Sequence, residues 1–305
     1  MGAARLLRGL AEVVDPDRLT VIVNTGDDDE FYGLHVSPDL DTIVYTLAGL
    51  APEGQGWGIK GDGFRALEAL ERFYGPAWFQ LGDRDLATHI FRTDALRAGR
   101  GLTEVTGEIC KALGVDVRVL PATDQRLRTV IHTDDGPIPF QKWLVAERGA
   151  PRVNRVAYTG ARGTRPARGV ASAISDADLV VIAPSNPFVS IGPILAVPGL
   201  RAALKSARTR TVAVSPLVHG RAVKGPLAEM LESLGPAPGL AGIASIYSGL
   251  CSELIVAPGD AGGAAADSRR GWPDLVEHDI MIQRRSSAAR LARFILERGA
   301  GRHAA

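Results

Sequence analysis

The chain has 305 residues, with 35 Lys and Arg against 34 Asp and Glu and a formal net charge of +1. That balance supplies no overall field for gathering nucleic acid or an anionic membrane, so any polyanion site has to be local. The two cysteines, Cys110 and Cys251, lie far apart and outside any CxxC or Cys/His spacing, which argues against a disulfide scaffold and structural zinc.

An apolar content of 46% with 35 glycines is that of a globular α/β protein. The length allows one large domain with a sizeable core. No basic segment followed by an apolar run opens the chain, and no stretch approaches a membrane span, so a cytoplasmic location is expected. Gly2-Ala3-Ala4 runs straight into Arg5-Leu6-Leu7-Arg8-Gly9-Leu10, a helix opening without the strand that precedes such a small-residue turn in doubly wound folds.

Short β-branched runs predict strands at 19–24, 117–120, 153–158, 179–183, 211–215 and 254–257. Alternating with helical stretches, they predict a Rossmann-like, mainly parallel sheet with helices on both faces. Residues 128–133 and 138–140 flank Asp134-Asp135-Gly136-Pro137, an Asp-Gly turn, and predict an antiparallel hairpin. Apolar positions at three and four spacing within 64–73, 86–96 and 102–113 predict helices. We therefore expect a single domain over 1–305, with a helical subdomain at about 40–113 inserted in the α/β core. Residues 236–239 and 258–266 are loops by composition, and 286–298 predict a closing helix with Leu291, Phe294 and Ile295 on one side.

Asn24-Thr25-Gly26-Asp27-Asp28-Asp29-Glu30 follows an apolar strand, at the end where open α/β sheets bind ligands. Adjacent acids repel one another and need a cation, solvent or donors. Magnesium commonly takes one or two carboxylates plus substrate phosphates, which makes Asp27 and Asp28 the candidate ligands. Ser37-Pro38-Asp39-Leu40-Asp41-Thr42 reads as a helix start, with ordinary capping as its plainer meaning. Within Gly82-Asp83-Arg84-Asp85-Leu86-Ala87-Thr88-His89, a spacing of four sets Arg84 over Thr88 and Asp85 over His89. After the strongest strand signal, Pro184-Ser185-Asn186-Pro187-Phe188-Val189-Ser190-Ile191 offers hydroxyls and an amide on a proline-fixed path suited to a nucleotide. Gly54-Gln55-Gly56-Trp57-Gly58 and Gly160-Ala161-Arg162-Gly163 lack the context of a dinucleotide loop and read as turns. P-loop, HExxH and G-x-S-x-G motifs are absent.

Taken in order, 24–28, 37–42, 82–89, Phe140-Gln141-Lys142-Trp143 and 184–195 resemble the 2-phospho-L-lactate transferase family of deazaflavin coenzyme (F-420) biosynthesis. Ser215-Pro216-Leu217-Val218 and Gly225-Pro226 resemble that family's next strand end and helix start. The resemblance covers most of the chain to about residue 234. It implies a magnesium-dependent transfer of a guanosine-diphosphate-activated phospho-acid to the ribityl hydroxyl of the deazaflavin Fo, with release of GMP. The acid is phospholactate, phosphoenolpyruvate or phosphoglycerate.

By the same resemblance, Asp27 is the catalytic and metal residue with Asp28 beside it. Asp41, Arg84, Thr88 and His89 hold Fo, and Gly2, Ala3, Ser185, Asn186, Ser190 and Ile191 hold the nucleotide. The implied partners are these two small molecules, neither nucleic acid nor membrane, with a homodimer compatible. The family opens with a strand and a glycine-rich turn, so a short apolar strand is expected upstream of Gly2. A non-catalytic nucleotide-sugar-binding regulator of the gluconeogenesis-factor type shares the core and an acidic loop. It is not expected to combine 82–85 with 37–42.

Overall fold

The computed structural model describes residues 2–52, 56–223, 225–265 and 271–300. The parallel layer comes in two pieces. Thr20–Val23 pairs in parallel with Arg118–Pro121, and a four-stranded sheet runs in the order Asp274–Glu277, Glu253–Val256, Thr211–Val214, Val180–Ile182. The Val180–Ile182 edge and the Thr20–Val23 edge are not hydrogen-bonded to one another.

Alternation along the inner strands feeds two cores. Val212, Val214 and Ile255 face the helices Gly2–Val13 and Arg285–Ala300, where Leu6, Leu10, Leu291 and Ile295 meet them. Ala213, Leu254 and Val256 face the other way, onto the helices Leu227–Leu234 and Gly239–Ile246. A strand apolar on both sides is what a sheet covered on both faces requires. Arg285–Ala300 carries Leu291 and Ile295 fully buried, as the spacing predicted, while Phe294 stacks on His278 with ring centroids 3.9 Å apart.

Between Thr20–Val23 and its partner Arg118–Pro121 lie the helices Pro38–Leu47, Arg65–Tyr74, Asp83–Arg97 and Leu102–Ala112, close to the predicted bounds. Leu40, Ile43, Val44, Val105 and Ile109 bury a common core with Val23 and Val119. A hairpin that the sequence reading did not contain precedes them: Asp29–Phe31 pairs antiparallel with Leu34–Val36 across Tyr32 and Gly33. Both turn residues have positive φ, 54° and 74°, the mirror-image turn whose twist suits a two-residue hairpin.

Two further expectations are corrected, and one strand is added. The segment predicted at 153–158 does not join the parallel layer. Arg155–Thr159 is antiparallel to Arg128–Thr133, which also pairs with Gly136–Pro139 in a separate three-stranded sheet. A β-branched run declares a strand but not its direction. Residues 258–266 were expected as loop, yet Asp260–Ala265 is a short helix, alanine and glycine being compatible with both. The strand Asp274–Glu277, with exposed residues at both ends, lies outside the predicted strands.

Of the glycine-rich turns, 54–55 lie outside the described residues, while Gly160 turns the chain at φ 86° as expected. Among the described residues, no helix is long and apolar enough to cross a membrane.

Candidate active site

The strand Thr20–Val23 delivers its carboxyl end to Asn24, which organises the turn that follows. Asn24 Oδ1 accepts from Gly26 N at 2.7 Å, while Nδ2 donates to Asp39 Oδ2 at 2.9 Å and to the Val189 carbonyl at 3.3 Å. One amide thus ties together the acidic turn, the start of the helix Pro38–Leu47 and the segment after Val180–Ile182. Gly26 is packed so closely that a Cβ there would stand 2.6 Å from Thr129 Oγ1 and 2.8 Å from Pro193 Cβ. Only glycine lets the turn lie so near its neighbours.

This geometry divides the acidic run. Asp29 and Glu30 enter the hairpin strand and face outward, Asp29 beside the Arg128 guanidinium at 3.7 Å. Asp27 and Asp28 turn inward and are 6% and 3% exposed. Asp28 Oδ2 accepts from Ser37 Oγ at 2.9 Å and lies 3.1 Å from His35 Nε2. The remaining oxygen, Asp28 Oδ1, has no hydrogen-bond partner, and neither does Asp27 Oδ1. Burial pushes the Asp27 carboxyl well above its ordinary range, the charges of Asp39 and Asp28 add to this, and the Asn24 amide opposes it in part. Asp39 is raised chiefly by burial as well.

Two adjacent buried carboxylates, each with an unpartnered oxygen, cost free energy unless a cation or donor meets them. The set is all oxygen, and Thr25 Oγ1 beside it is also unpartnered. Such donors fit a hard divalent cation carrying part of its own water and substrate oxygens.

Across the cleft, Ser185, Asn186, Ser190 and Ile191 are brought to the same sheet end. Asn186 is spent on its own loop, its Oδ1 accepting from Phe188 N at 2.8 Å and Val189 N at 3.3 Å. Gly2 packs on the Pro184 carbonyl, and Ala3, Asn24, Asp39, Ser185, Ser190 and Ile191 border one cavity of about 870 Å³. Its body runs down between the strands rather than over Asp27 and Asp28.

The residues Asp41, Arg84, Thr88 and His89 fall into two groups. Asp41 and His89 are 6% and 1% exposed and belong to a buried polar cluster with Tyr45, Asp85 and Arg92. Arg92 grips both carboxylate oxygens of Asp41, one at 3.1 Å. The His89 ring lies between Asp41 and Asp85, with Nε2 3.2 Å from Asp85 Oδ1, as the spacing of four predicted. Tyr45 donates to Asp85 Oδ1 at 2.7 Å, and its hydroxyl pKa is raised by burial and by both carboxylates. Asp41, Asp85 and His89 offer metal-ligand atoms within 4.8 Å of one another, but the Arg92 guanidinium already supplies the positive charge there. Arg84 is exposed, its backbone N–H capped by Asp62 at 2.8 Å, and Thr88 is half-buried.

His35, Ser37 as a partner of Asp28, Tyr45 and Arg92 were not singled out by sequence reasoning. Arg92 stands three residues after His89 and seven after Asp85, a helical face that the spacing rule would have found. The hairpin and this helix are joined where His35 N donates to Thr93 Oγ1 at 2.8 Å and Thr93 Oγ1 donates to the His89 carbonyl at 2.6 Å.

The chain is similar to proteins of known description. A phosphoenolpyruvate transferase of Streptomyces griseus is 44% identical over 268 residues, spanning 86% of this chain and 84% of that one. A protein of the same description from Mycolicibacterium smegmatis is 42% identical, spanning 77% of each chain. Among solved structures, protein BH3568 of Bacillus halodurans shares the fold with a TM-score of 0.62 at 19% identity, over 97% of this chain and 96% of that one. The family described as 2-phospho-L-lactate transferase CofD matches residues 1–290, and the chain belongs to that family of coenzyme F-420 biosynthesis transferases.

Proposed function

We propose that the protein transfers a phosphoenolpyruvyl group from a guanosine-diphosphate-activated donor to the terminal ribityl hydroxyl of Fo, releasing GMP. The single observation that carries this reading is the pair of buried carboxylates, Asp27 and Asp28, each with an unpartnered oxygen at the carboxyl end of a parallel strand. The choice of phosphoenolpyruvate over phospholactate or phosphoglycerate rests on the description shared by the relatives at 42–44% identity.

In this reading Asp27 and Asp28 hold a magnesium ion, which when bound neutralises charge on the donor's diphosphate. Ser37 and His35 fix Asp28 from one side, and Asn24 fixes Asp39 relative to both. The hydroxyl oxygen of Fo forms a bond to the phosphorus bearing the acid, the bridging phosphorus–oxygen bond breaks, and GMP leaves. The hydroxyl proton departs toward the carboxylates, with Asp27 nearest in role. Ser185, Ser190, Ile191 and the first turn at Gly2 and Ala3 take the guanosine side, and Asn186 shapes their loop. Arg84 and Thr88, accessible on the helix Asp83–Arg97, contact Fo. Asp41 and His89 act from behind them by fixing that helix against Pro38–Leu47.

The experiment supplies Fo, magnesium and each of the three guanosine-activated acids, and follows GMP release and product mass. Fastest turnover with the phosphoenolpyruvyl donor is expected. No product with any donor would set the transferase reading aside in favour of nucleotide binding alone.

A further inference from the structure

The separate antiparallel sheet turns one face toward the cleft. Thr129 on Arg128–Thr133 stands directly opposite Tyr158 on Arg155–Thr159, and Ile131 stands opposite Val156. Opposed residues of an antiparallel pair share a face, as do residues two apart along a strand. Ile131 and Val156 share a core with Phe188 and Val189, so this face lies against the loop 184–192 on the guanosine side.

Tyr158 holds that loop from the sheet. Its hydroxyl donates to the Phe188 carbonyl at 2.5 Å, in a space that a Cβ on Gly192 would overlap. Burial pushes the hydroxyl pKa up to about 12, with Arg201 opposing and Asp27 adding, so at neutral pH it remains a donor. The next carbonyl along, that of Val189, accepts from the Asn24 amide at 3.3 Å. Two consecutive loop carbonyls are thus gripped by different elements, one by the antiparallel sheet and one by the residue that ends the strand Thr20–Val23.

Thr129, across from Tyr158, meets the acidic turn. Its backbone N–H donates to the Gly26 carbonyl at 2.7 Å. The side chain is 2% exposed, and Oγ1 lies beside Asp27 without a hydrogen bond of full geometry. Burial raises the Asp27 carboxyl, and Thr129, with Asn24, opposes part of that rise. One cross-strand pair therefore touches both sides of the cleft.

We propose that Tyr158 and Thr129 are positioning residues: Tyr158 fixes the loop 184–192, Thr129 fixes Asp27, and the ladder between them sets the separation of the two. Neither reacts. Displacement at phosphorus needs donor and acceptor held in line, and a rigid sheet spanning the cleft supplies that alignment. The assignment of loop to nucleotide and of Asp27 to cation rests on the transferase reading.

The test uses the full chain with Tyr158→Phe, Thr129→Val and Thr129→Ser, and magnesium–GDP as the nucleotide probe. Tyr158→Phe is expected to weaken GDP binding and raise the donor KM about five-fold, the scale of one neutral hydrogen bond, with kcat nearly unchanged. Amide exchange at 188–191 is expected to quicken in the same variant. Gly192→Ala, which displaces the same hydroxyl, is the second variant on that side and is expected to weaken GDP binding likewise. Thr129→Val is expected to lower kcat about five-fold and to raise the magnesium needed for GDP binding, with GDP affinity at saturating magnesium unchanged. Thr129→Ser, which restores the hydroxyl, is expected to recover both.

A merely structural role would lower the thermal midpoint of each variant without dividing the parameters in this way. Unchanged GDP affinity and loop exchange in Tyr158→Phe would overturn the inference, as would Tyr158→Phe and Thr129→Val moving the same parameters together. A parent that releases no GMP would count against the transferase reading instead. GDP affinity, its magnesium dependence and loop exchange would then still decide the role of the pair.

Discussion

Ser37 donates its hydroxyl to Asp28 at 2.9 Å while standing at the N-cap of Pro38–Leu47, and it makes no side-chain bond to its own helix. A residue type that normally satisfies a helix end is diverted to a carboxylate whose other oxygen is unpartnered. Ser37→Ala is therefore expected to cost about 1 kcal/mol of stability. Its larger effect is expected on magnesium, with a several-fold rise in the concentration needed for half-maximal turnover. Calorimetry and a magnesium titration check the two effects separately, and an unchanged titration would remove Ser37 from the site.

The Arg92–Asp41 pair is buried on both sides, at 1% and 6% exposure. Removing one partner leaves the other charge uncompensated, which costs about 3–5 kcal/mol. Urea unfolding of Arg92→Met is expected to show a loss of that size, and Arg92→Met with Asp41→Leu to recover most of it. A single variant within about 1 kcal/mol of the parent would mean that the pair is solvated in solution.

Much of this was legible in the sequence, and the gaps have physical causes. The strand ending in Asn24, the helix that carries Arg84 and His89, and the turn after 179–183 follow from periodicity and punctuation, which report local geometry. The inward turn of Asp27 and Asp28 against the outward Asp29 does not, because it depends on a hairpin closed by Tyr32 and Gly33, only the second of which is a usual turn residue. Arg92 was passed over since a mid-helix arginine is ordinarily solvated, and its burial is set by Asp41, 51 positions away. The direction of Arg155–Thr159 is likewise a matter of which neighbour it meets.

Gly26→Ala tests the closeness of the acidic turn to its surroundings. The new methyl would meet Thr129, Pro193 and Leu127 at 2.6, 2.8 and 2.9 Å. Overpacking of this kind costs about 1–3 kcal/mol. Turnover is expected to fall further than stability, since the displaced turn carries Asp27. Equal stability and turnover to the parent would show that the turn has room.

The buried cluster predicts an acid limb of the stability curve. Burial pushes the Asp85 carboxyl up, but its hydrogen bond and interaction with His89, and then Tyr45 and Arg92, outweigh this and hold it below its ordinary 3.8. A carboxyl whose folded pKa is depressed contributes stability that is present above the unfolded value and is lost as pH falls through the folded one. The parent is therefore expected to lose stability more steeply than Asp85→Asn below about pH 4, with the two curves converging at the acid end. Parallel curves in that window would contradict the assignment.

The central claim, that Asp27 and Asp28 hold the cation for transfer to Fo, is tested most directly by magnesium-dependent GMP release in the parent and in Asp27→Asn. The parent is expected to turn over only with magnesium. Asp27→Asn, folded by calorimetry, is expected to lose at least about a hundred-fold in turnover, the scale of one electrostatic contact made to the transition state. Release from Asp27→Asn within a few-fold of the parent at the same magnesium concentration would contradict it.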